Sequence, residues 1–385
     1  MRQIWQNDTN FEGPHMLRVC QLMTRLFGRD DERSARPETR RARPSDMDAK
    51  EKDRQLLAEM YMEVAPTIAS GPWHWYAYHF RQGPAHPFVA SIVKACADCE
   101  RAVPGLGRQL LADLASVSGM EKHLPHWDML NQKLSEILVL ERLFTLPWRS
   151  GSPVFSHEPA GRPGGKRPEL LVEDGANRYA FEVKAPAILQ HAVDRGTNQT
   201  QVPGRVFDPA TLEHLKQDSP LTLPRDNPVK DFLISADAKF APFKAQGPCQ
   251  SVLVIVWDDY IYEPITSLTG AAAKGLLTPQ SFATTGNGTP MTFPNIDAVI
   301  VVRHLSYFIR AAREEALLER AHAFDFGDET ALPNVLIPVP GGDPIAEFIT
   351  AGLRAVPFDD PRLLTAAEYN PSDLIFWLNT GDGGG

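Results

Sequence analysis

The sequence has few cysteines, no excess of positive charge and no long apolar run. Four cysteines in 385 residues are too few for a disulfide framework. A net charge of −9 excludes a surface that is basic overall, although it leaves room for a local basic groove. The start of the chain lacks the apolar stretch of a signal peptide, and the most apolar run, Val252 to Trp257, is far too short to span a bilayer. We therefore expect a cytoplasmic protein with no membrane segment.

Several common catalytic motifs are also missing. The glycines of GRPGGKRP lack the spacing of a phosphate-binding Walker loop, and no Ser or Thr follows Lys166. The sequence contains no HExxH zinc motif and no GxSxG nucleophile elbow. Cys96 and Cys99 have metal-ligand spacing, but no second pair accompanies them, which favours core cysteines over a zinc site. The remaining candidates for chemistry are acidic residues.

The composition divides the chain into five predicted segments. Apolar residues at helical spacing predict an N-terminal helix within 1–28, followed by a mixed-charge flexible linker, partly helical at most, over 29–54. Helical patterns dominate 55–125, which we expect to pack as a separate lobe. Alternating helix and strand patterns over 126–325 predict an α/β fold with a mixed sheet flanked by helices. Shorter elements over 326–385 form a C-terminal extension.

The most informative segment is KRPELLVEDGANRYAFEVKAP, residues 166–186. Two strand-like runs flank DGAN, a turn signal, and predict an antiparallel hairpin. With Gly175-Ala176 as a two-residue turn, Glu169 faces Glu182, and Lys184 shares the face of Glu182. The same register pairs apolar residues on the opposite face, namely Leu170 with Phe181 and Val172 with Tyr179.

The facing carboxylates Glu169 and Glu182 are costly for a protein under selection for stability alone. At about 5 Å they repel by roughly 3 kcal/mol at an effective dielectric constant of about 20. A divalent cation converts this repulsion into coordination, and Mg²⁺ prefers one or two carboxylates together with water and substrate phosphate. A lysine beside the metal-bound water orients the nucleophile and offsets negative charge. Glu169, Glu182 and Lys184 together are suited to phosphodiester hydrolysis.

These residues resemble the signature of the PD-(D/E)XK nuclease superfamily, which has the restriction-endonuclease-like fold. That signature is an acid on a first helix, a proline-acid pair opening a strand, and an acid-x-Lys triplet on the next strand. The matching residues are Glu136 in LNQKLSEILVLERLF, Pro168-Glu169 in RPELLV, and Glu182-Val183-Lys184 in FEVKAP. The resemblance covers about residues 127–302 and has one departure, because Glu169 stands where Asp is usual.

The resemblance implies a metal-dependent nuclease. Glu136, Glu169 and Glu182 would bind Mg²⁺ or Mn²⁺, and Lys184 would complete the catalytic set with them. The implied substrate is nucleic acid, with DNA favoured over RNA, in nucleic-acid processing or phage defence. Lys239, on a later helix, would contact a substrate phosphate. The helical N-terminal region would bind a protein partner or a second copy of the chain.

Competing interpretations remain open at this point. Glu141 lies on the same helix as Glu136, about 140° around it, so only one of them can point at the hairpin. Glu136 is the one that matches the family's helix pattern. Asp258 and Asp259 are a rival acidic pair after a buried strand, but neighbouring strand side chains point to opposite faces. The competing functions are an inactive nuclease-fold module that binds nucleic acid or a protein partner, and a helical interaction protein with a chance hairpin.

Overall fold

The computed structural model of the chain covers most of the predicted α/β region and the helices before it. The predicted N-terminal helix in residues 1–28, and the linker as far as residue 43, lie outside the described residues. The residues that the structure describes are 44–161, 165–198, 200–201, 213–214, 217, 220–270 and 274–366.

Helices and strands alternate after a helical start. The described helices are α1 (Pro44–Ser70), α2 (Ala77–Gln82), α3 (Pro87–Ala102), α4 (Leu106–Ser116), α5 (Leu124–Phe144), α6 (Ile188–Thr197), α7 (Pro228–Lys244), α8 (Tyr262–Thr269), α9 (Leu305–Ala312), α10 (Glu347–Gly352) and α11 (Pro361–Ala366). The described strands are β1 (Val154–His157), β2 (Leu170–Asp174), β3 (Asn177–Lys184), β4 (Thr200–Gln201), β5 (Leu221–Thr222), β6 (Gln250–Trp257), β7 (Ala298–Arg303), β8 (Asn334–Pro338) and β9 (Ala355–Pro357).

Seven of these strands form one mixed sheet in the order β1-β2-β3-β6-β7-β8-β9. β1, β2 and β3 are antiparallel, β3, β6 and β7 are parallel, and β8 is antiparallel to β7 but parallel to β9. The central strand β6 is buried from Ser251 to Trp257, as expected of a parallel strand covered on both faces. The structure therefore confirms the α/β class, with a mixed sheet flanked by helices.

Each face of the sheet packs against its own apolar core. One core joins helices α1 to α5 and α9 to the sheet, through residues such as Leu138, Phe181 and Val254. The other joins α7 and α8 to the opposite face, through residues such as Phe240 and Leu253. The helical region before residue 125 thus shares a core with the sheet and is not the separate lobe that we predicted. No helix in the described ranges is long and apolar enough to cross a membrane.

Helix α1 begins earlier than the sequence predicts. It starts at Pro44, so residues 44–54 of the predicted flexible linker are helical. Proline suits the first turn of a helix, because its fixed φ matches and its missing donor would be unpaired there anyway. The side chains over 49–53 are exposed, and Glu51 pairs with Arg54 at 3.2 Å, one turn away. A mixed-charge segment can therefore be helical without burying apolar side chains.

The sheet also continues beyond the predicted boundary at residue 325. β8 and β9, which fall in the predicted C-terminal extension, are the last two strands of the main sheet. Each is only a few residues long, and a short apolar run does not distinguish a strand from a helix segment. β1, at the opposite edge, is equally short and was not predicted.

Candidate active site

The turn of the β2–β3 hairpin is the predicted one. Asp174 pairs with Asn177, which leaves Gly175 and Ala176 as a two-residue turn. Gly175 has φ of +65°, a conformation that glycine adopts without steric cost. The Asp174 carboxylate also accepts two backbone hydrogen bonds, at 2.8 and 2.9 Å, from the loop before β1. These contacts fix the end of the hairpin and therefore its register.

The register of the hairpin carries the two predicted acids to facing positions. Glu169 immediately precedes β2, and the observed pairing continued by one residue places it opposite Glu182 of β3. The predicted apolar pairs form as expected, and all four residues lie in the core against the N-terminal helices: Leu170 with Phe181, and Val172 with Tyr179. The register prediction is confirmed.

Glu182 is a fully buried carboxylate held by two lysines. Its side chain is 0% exposed, and the Nζ atoms of Lys184 and Lys239 each lie 2.6 Å from its Oε1. Two cations at this distance offset the cost of burying the charge. Its other oxygen, Oε2, is buried and has no hydrogen-bond partner. The lysines therefore leave one oxygen of Glu182 unused.

Lys239 lies inside the carboxylate cluster. Helix α7 buries Leu233, Ala236 and Phe240 against the sheet, and this packing turns the neighbouring Lys239 towards β3. Its Nζ is 3.7 Å from Oε1 of Glu169 as well as 2.6 Å from Glu182, and its side chain is 15% exposed. We predicted a contact with substrate phosphate for Lys239, but the structure pairs it with the carboxylates.

Glu136 approaches the hairpin from helix α5. The helix buries Leu134, Ile137 and Leu138 in the core, which leaves Glu136 at the border of the packed face. Lys133 Nζ, one turn earlier, lies 3.4 Å from Glu136 Oε2. The structure thus brings the predicted helix acid to the site.

Glu141 lies elsewhere on the same helix. Burial, followed by the nearby Asp98 carboxylate, raises the pKa of Glu141 to about 7, whereas Lys94 and Arg142 lower it. Asp98 and Lys94 belong to α3, so Glu141 faces the helical layer. The structure therefore places Glu136, and not Glu141, beside the hairpin.

His157 completes a group that the sequence did not predict. One donor atom from each of Glu136, His157 and Glu169 lies within 4.8 Å of the others. His157 is the last residue of β1, and its Cα pairs with Leu170, next to Glu169 in the chain. The four-residue strand VFSH was the only available signal, and its pairing with β2 joins segments that residues 158–169 separate in the chain. Glu182, which we predicted as a ligand with Glu136 and Glu169, lies outside this compact group.

The charges around Glu169 act on each other strongly. Burial, followed by the carboxylates of Glu136 and Glu182, raises the pKa of Glu169 to about 7, against the lowering effect of Lys239 and Lys184. Burial also raises the pKa of Glu136, but His157 and Lys133 outweigh it and hold that pKa below its usual value. Burial lowers the pKa of His157, and Glu136 reverses the shift and raises it. At neutral pH, Glu169 is thus poised between its protonated and ionised forms.

A cleft of about 470 Å³ opens between α5 and α7 beside these residues. It gives a ligand access to Glu136, Glu169 and Lys184. Glu182 does not line the cleft, but its ion pair with Lys184 connects it to the cleft wall. Both walls also carry apolar side chains. The lining residues are Met129, Gln132, Lys133, Glu136, Glu169, Val183, Lys184, Ala185, Asp231 and Phe232.

Other residues that attracted attention in the sequence lie away from this cleft. Asp258 pairs with Arg225 at 2.5 Å, and Asp259 accepts a hydrogen bond from Ser306 Oγ at 2.9 Å. Both aspartates line a smaller cavity of about 160 Å³. The two cysteines of α3, Cys96 and Cys99, are free and buried in the core. Neither pair belongs to the carboxylate cluster.

Comparison of this chain with protein-family models, with curated proteins and with solved structures found no match.

Proposed function

We propose that this chain is a metal-dependent nuclease that hydrolyses phosphodiester bonds in nucleic acid, with DNA favoured over RNA. The observation that carries the proposal is the convergence of Glu136, Glu169 and Lys184 at one cleft, with the buried Glu182 held against Lys184 behind its wall. These are the residues that match the PD-(D/E)XK signature, and matching in sequence does not by itself require them to meet in space. A helix, a loop–strand junction and a strand position them together.

A divalent cation fits the site on the chemistry of its donors. Carboxylate oxygens are the hard ligands that Mg²⁺ and Mn²⁺ accept. Glu136 and Glu169 offer such oxygens within 4.8 Å of each other, and Glu182 adds a buried Oε2 without a partner. These three glutamates would hold the ion, whose chemistry would be to lower the pKa of a bound water and to neutralise charge on the phosphate.

Lys184 supplies the chain's own cation at the reacting phosphate. It lines the cleft, its side chain is 25% exposed, and its Nζ is fixed 2.6 Å from Glu182 Oε1. A positioned cation orients the attacking water and offsets the negative charge that develops on the phosphoryl oxygens. Its position at a partly buried wall strengthens this interaction relative to one in bulk water.

The decisive experiment removes the Lys184 charge. Lys184→Ala should lower single-turnover cleavage by about 10²-fold or more, because the transition-state charge loses its partner, while affinity for nucleic acid changes little. The measurement compares cleavage of single-stranded DNA, duplex DNA and RNA with Mg²⁺ and with Mn²⁺. Lys94→Ala is the matched control, because Lys94 also pairs with a carboxylate, Asp98, but lies on α3. Cleavage by Lys184→Ala at the wild-type rate under saturating conditions would show that this cluster is not the catalytic centre.

One observation favours a second candidate, a catalytically inactive nuclease-fold module that binds nucleic acid or a protein partner. Three lysines accompany the three carboxylates in ion pairs: Lys133 with Glu136, and Lys184 and Lys239 with Glu182, Lys239 also approaching Glu169. Such a network can balance its charges without an ion. A titration with Mg²⁺ and Mn²⁺ discriminates the two, because an inactive module binds nucleic acid without cleaving it at any metal concentration.

A further inference from the structure

His157 brings a nitrogen donor to the carboxylates of Glu136 and Glu169. Its place at the end of β1 is set by strand pairing, since β1 is hydrogen-bonded to β2 along its whole length. Next to it, the backbone N–H of Glu158 donates to the carbonyl of Glu169 at 3.0 Å. The imidazole and the Glu169 carboxylate therefore project from two tied segments, and Glu136 meets them from α5.

The imidazole nitrogen nearest to these carboxylates is not otherwise engaged. Nε2 of His157 is buried and has no hydrogen-bond partner. The distance from Nε2 to Glu136 Oε1 is 3.6 Å, whereas a hydrogen bond between a charged imidazole and a carboxylate closes to about 2.8 Å. The two atoms are therefore too far apart for a direct hydrogen bond. When two ligand atoms each lie about 2.1 Å from one ion, the distance between them is about 3 Å or more. The distance between His157 Nε2 and Glu136 Oε1 agrees better with two ligands of one ion than with a direct hydrogen bond.

A second, independent feature lies next to this group, on strand β3. Glu182 is 0% exposed, and its Oε2 has no partner although both of its lysines bind Oε1. A buried carboxylate oxygen without a partner carries a desolvation cost that a bound cation would relieve. Glu182 faces Glu169 across the hairpin, so this unpartnered oxygen belongs to a neighbour of the group formed by Glu136, His157 and Glu169.

We propose that His157 is a nitrogen ligand of the cation and that it makes this site bind Mn²⁺ in preference to Mg²⁺. The inference rests on the metal of the proposed function, but it does not require cleavage. Mg²⁺ prefers oxygen ligands in a strict octahedral arrangement, whereas imidazole is a ligand for transition metals. Mn²⁺, as a transition metal, accepts imidazole nitrogen beside carboxylate oxygens, so the mixed set favours it over Mg²⁺.

The test is direct detection of nitrogen coordination in the full-length chain. Pulsed electron paramagnetic resonance of bound Mn²⁺ should show a nitrogen coupling that changes when the protein is labelled with ¹⁵N-histidine. His157→Gln should abolish this coupling and weaken Mn²⁺ binding by about tenfold or more in calorimetry, with a smaller loss for Mg²⁺. His126→Gln is the matched control, because His126 also has a buried ring nitrogen without a partner but lies outside the carboxylate group.

Several outcomes would overturn the inference. These are an absence of Mn²⁺ binding, bound Mn²⁺ without nitrogen coupling in the wild type, or coupling that persists in His157→Gln. Thermal unfolding of each variant checks that it is folded, and Glu136→Gln provides a second variant, expected to weaken Mn²⁺ binding while keeping the nitrogen coupling. A protein that binds Mn²⁺ through His157 but never cleaves nucleic acid would contradict the proposed function and leave this inference intact.

Discussion

Glu182 pairs through one oxygen with two lysines that come from different elements. Lys184 follows two residues later on the same strand, whereas Lys239 comes from helix α7 across the sheet face. Removal of one partner from a buried ion pair normally destabilises a protein by about 3 to 5 kcal/mol, because the remaining charge is uncompensated. Here the second lysine keeps a cation on Glu182. Lys184→Ala is therefore a cleaner probe of chemistry than a substitution in an isolated buried pair.

Glu169 gives the fold a pH dependence that can be measured. Its pKa is about 7 in the folded chain, above the ordinary value of 4.5, so the folded state binds its proton more tightly than the unfolded state does. Its contribution to stability is therefore fully present below about pH 4.5 and is lost as the pH rises through 7. Glu169→Gln, which cannot ionise, should raise the free energy of unfolding relative to wild type by about 1 to 3 kcal/mol at pH 8. Urea unfolding at pH 5 and pH 8 without metal measures the difference, which should be much smaller at pH 5.

The control for Glu169→Gln is Glu173→Gln. Glu173 belongs to β2 but is 51% exposed, and its nearest cation, on Arg178, is 4.0 Å away. Its substitution should change stability little at either pH. A Glu169→Gln effect of the same size at pH 5 and pH 8 would contradict the assignment of the pKa shift to this carboxyl.

The hairpin is the element that aligns the residues of the site. The structural role of its turn can be tested by replacing Gly175 with alanine, which adds one methyl group. Gly175→Ala should lower the free energy of unfolding by about 1 to 2 kcal/mol, because at φ +65° the Cβ of an alanine crowds the adjoining carbonyl oxygen of its own backbone. Gly286→Ala is the matched control, since an added Cβ meets nothing within 4 Å at either glycine but only Gly175 has a positive φ. Chemical denaturation of both variants gives the comparison, and equal losses would contradict the role assigned to the turn.

Local signals explain which elements the sequence could predict. The hairpin register depends on the two-residue turn Gly175-Ala176 and on apolar pairs a few positions away. Both features can be recognised in the DGAN segment and the residues that flank it. Glu136 could be identified because it lies on a long predicted helix and matches the helix acid of the signature that the sequence resembles. These features need no knowledge of the rest of the chain.

Features that depend on distant packing could not be predicted. His157 reaches the site only because β1 pairs with β2, which follows it at some distance in the chain, and four residues carry too little pattern to define a strand. The contacts of Lys239 follow from the face that α7 turns to the sheet, which is set by Leu233 and Phe240 in the core. The sequence placed Lys239 on a later helix but gave no indication that Glu182 would lie across from it.

The molecule as a whole should unfold as one unit through its shared core. Ile92 of α3 and Leu114 of α4 belong to the same core as Phe181 and Val254 of the sheet. A chain shortened to begin at residue 120 should lose its cooperative thermal transition, because each large apolar side chain exposed on the sheet side costs about 1.5 to 3 kcal/mol. Calorimetry and near-ultraviolet circular dichroism measure this loss.

A chain that begins at residue 44 is the control for this truncation, because it keeps every described element. It should retain one sharp transition close to that of the full chain. A sharp transition in the chain that begins at residue 120 would instead support an independent helical lobe.

The lysines around Glu182 also affect whether the newly synthesised chain needs a metal ion in order to fold. In a zinc finger the metal is the main source of folding energy, so the chain remains unfolded until the ion arrives. Here Lys133, Lys184 and Lys239 lie beside the carboxylates of Glu136, Glu169 and Glu182, and Lys133 also pairs with Asp113 at 3.3 Å. The cations that offset the burial of these carboxylates are therefore side chains of the polypeptide itself. We therefore expect the chain to fold without divalent ions, and the proposed metal would bind afterwards, as a separate and reversible step.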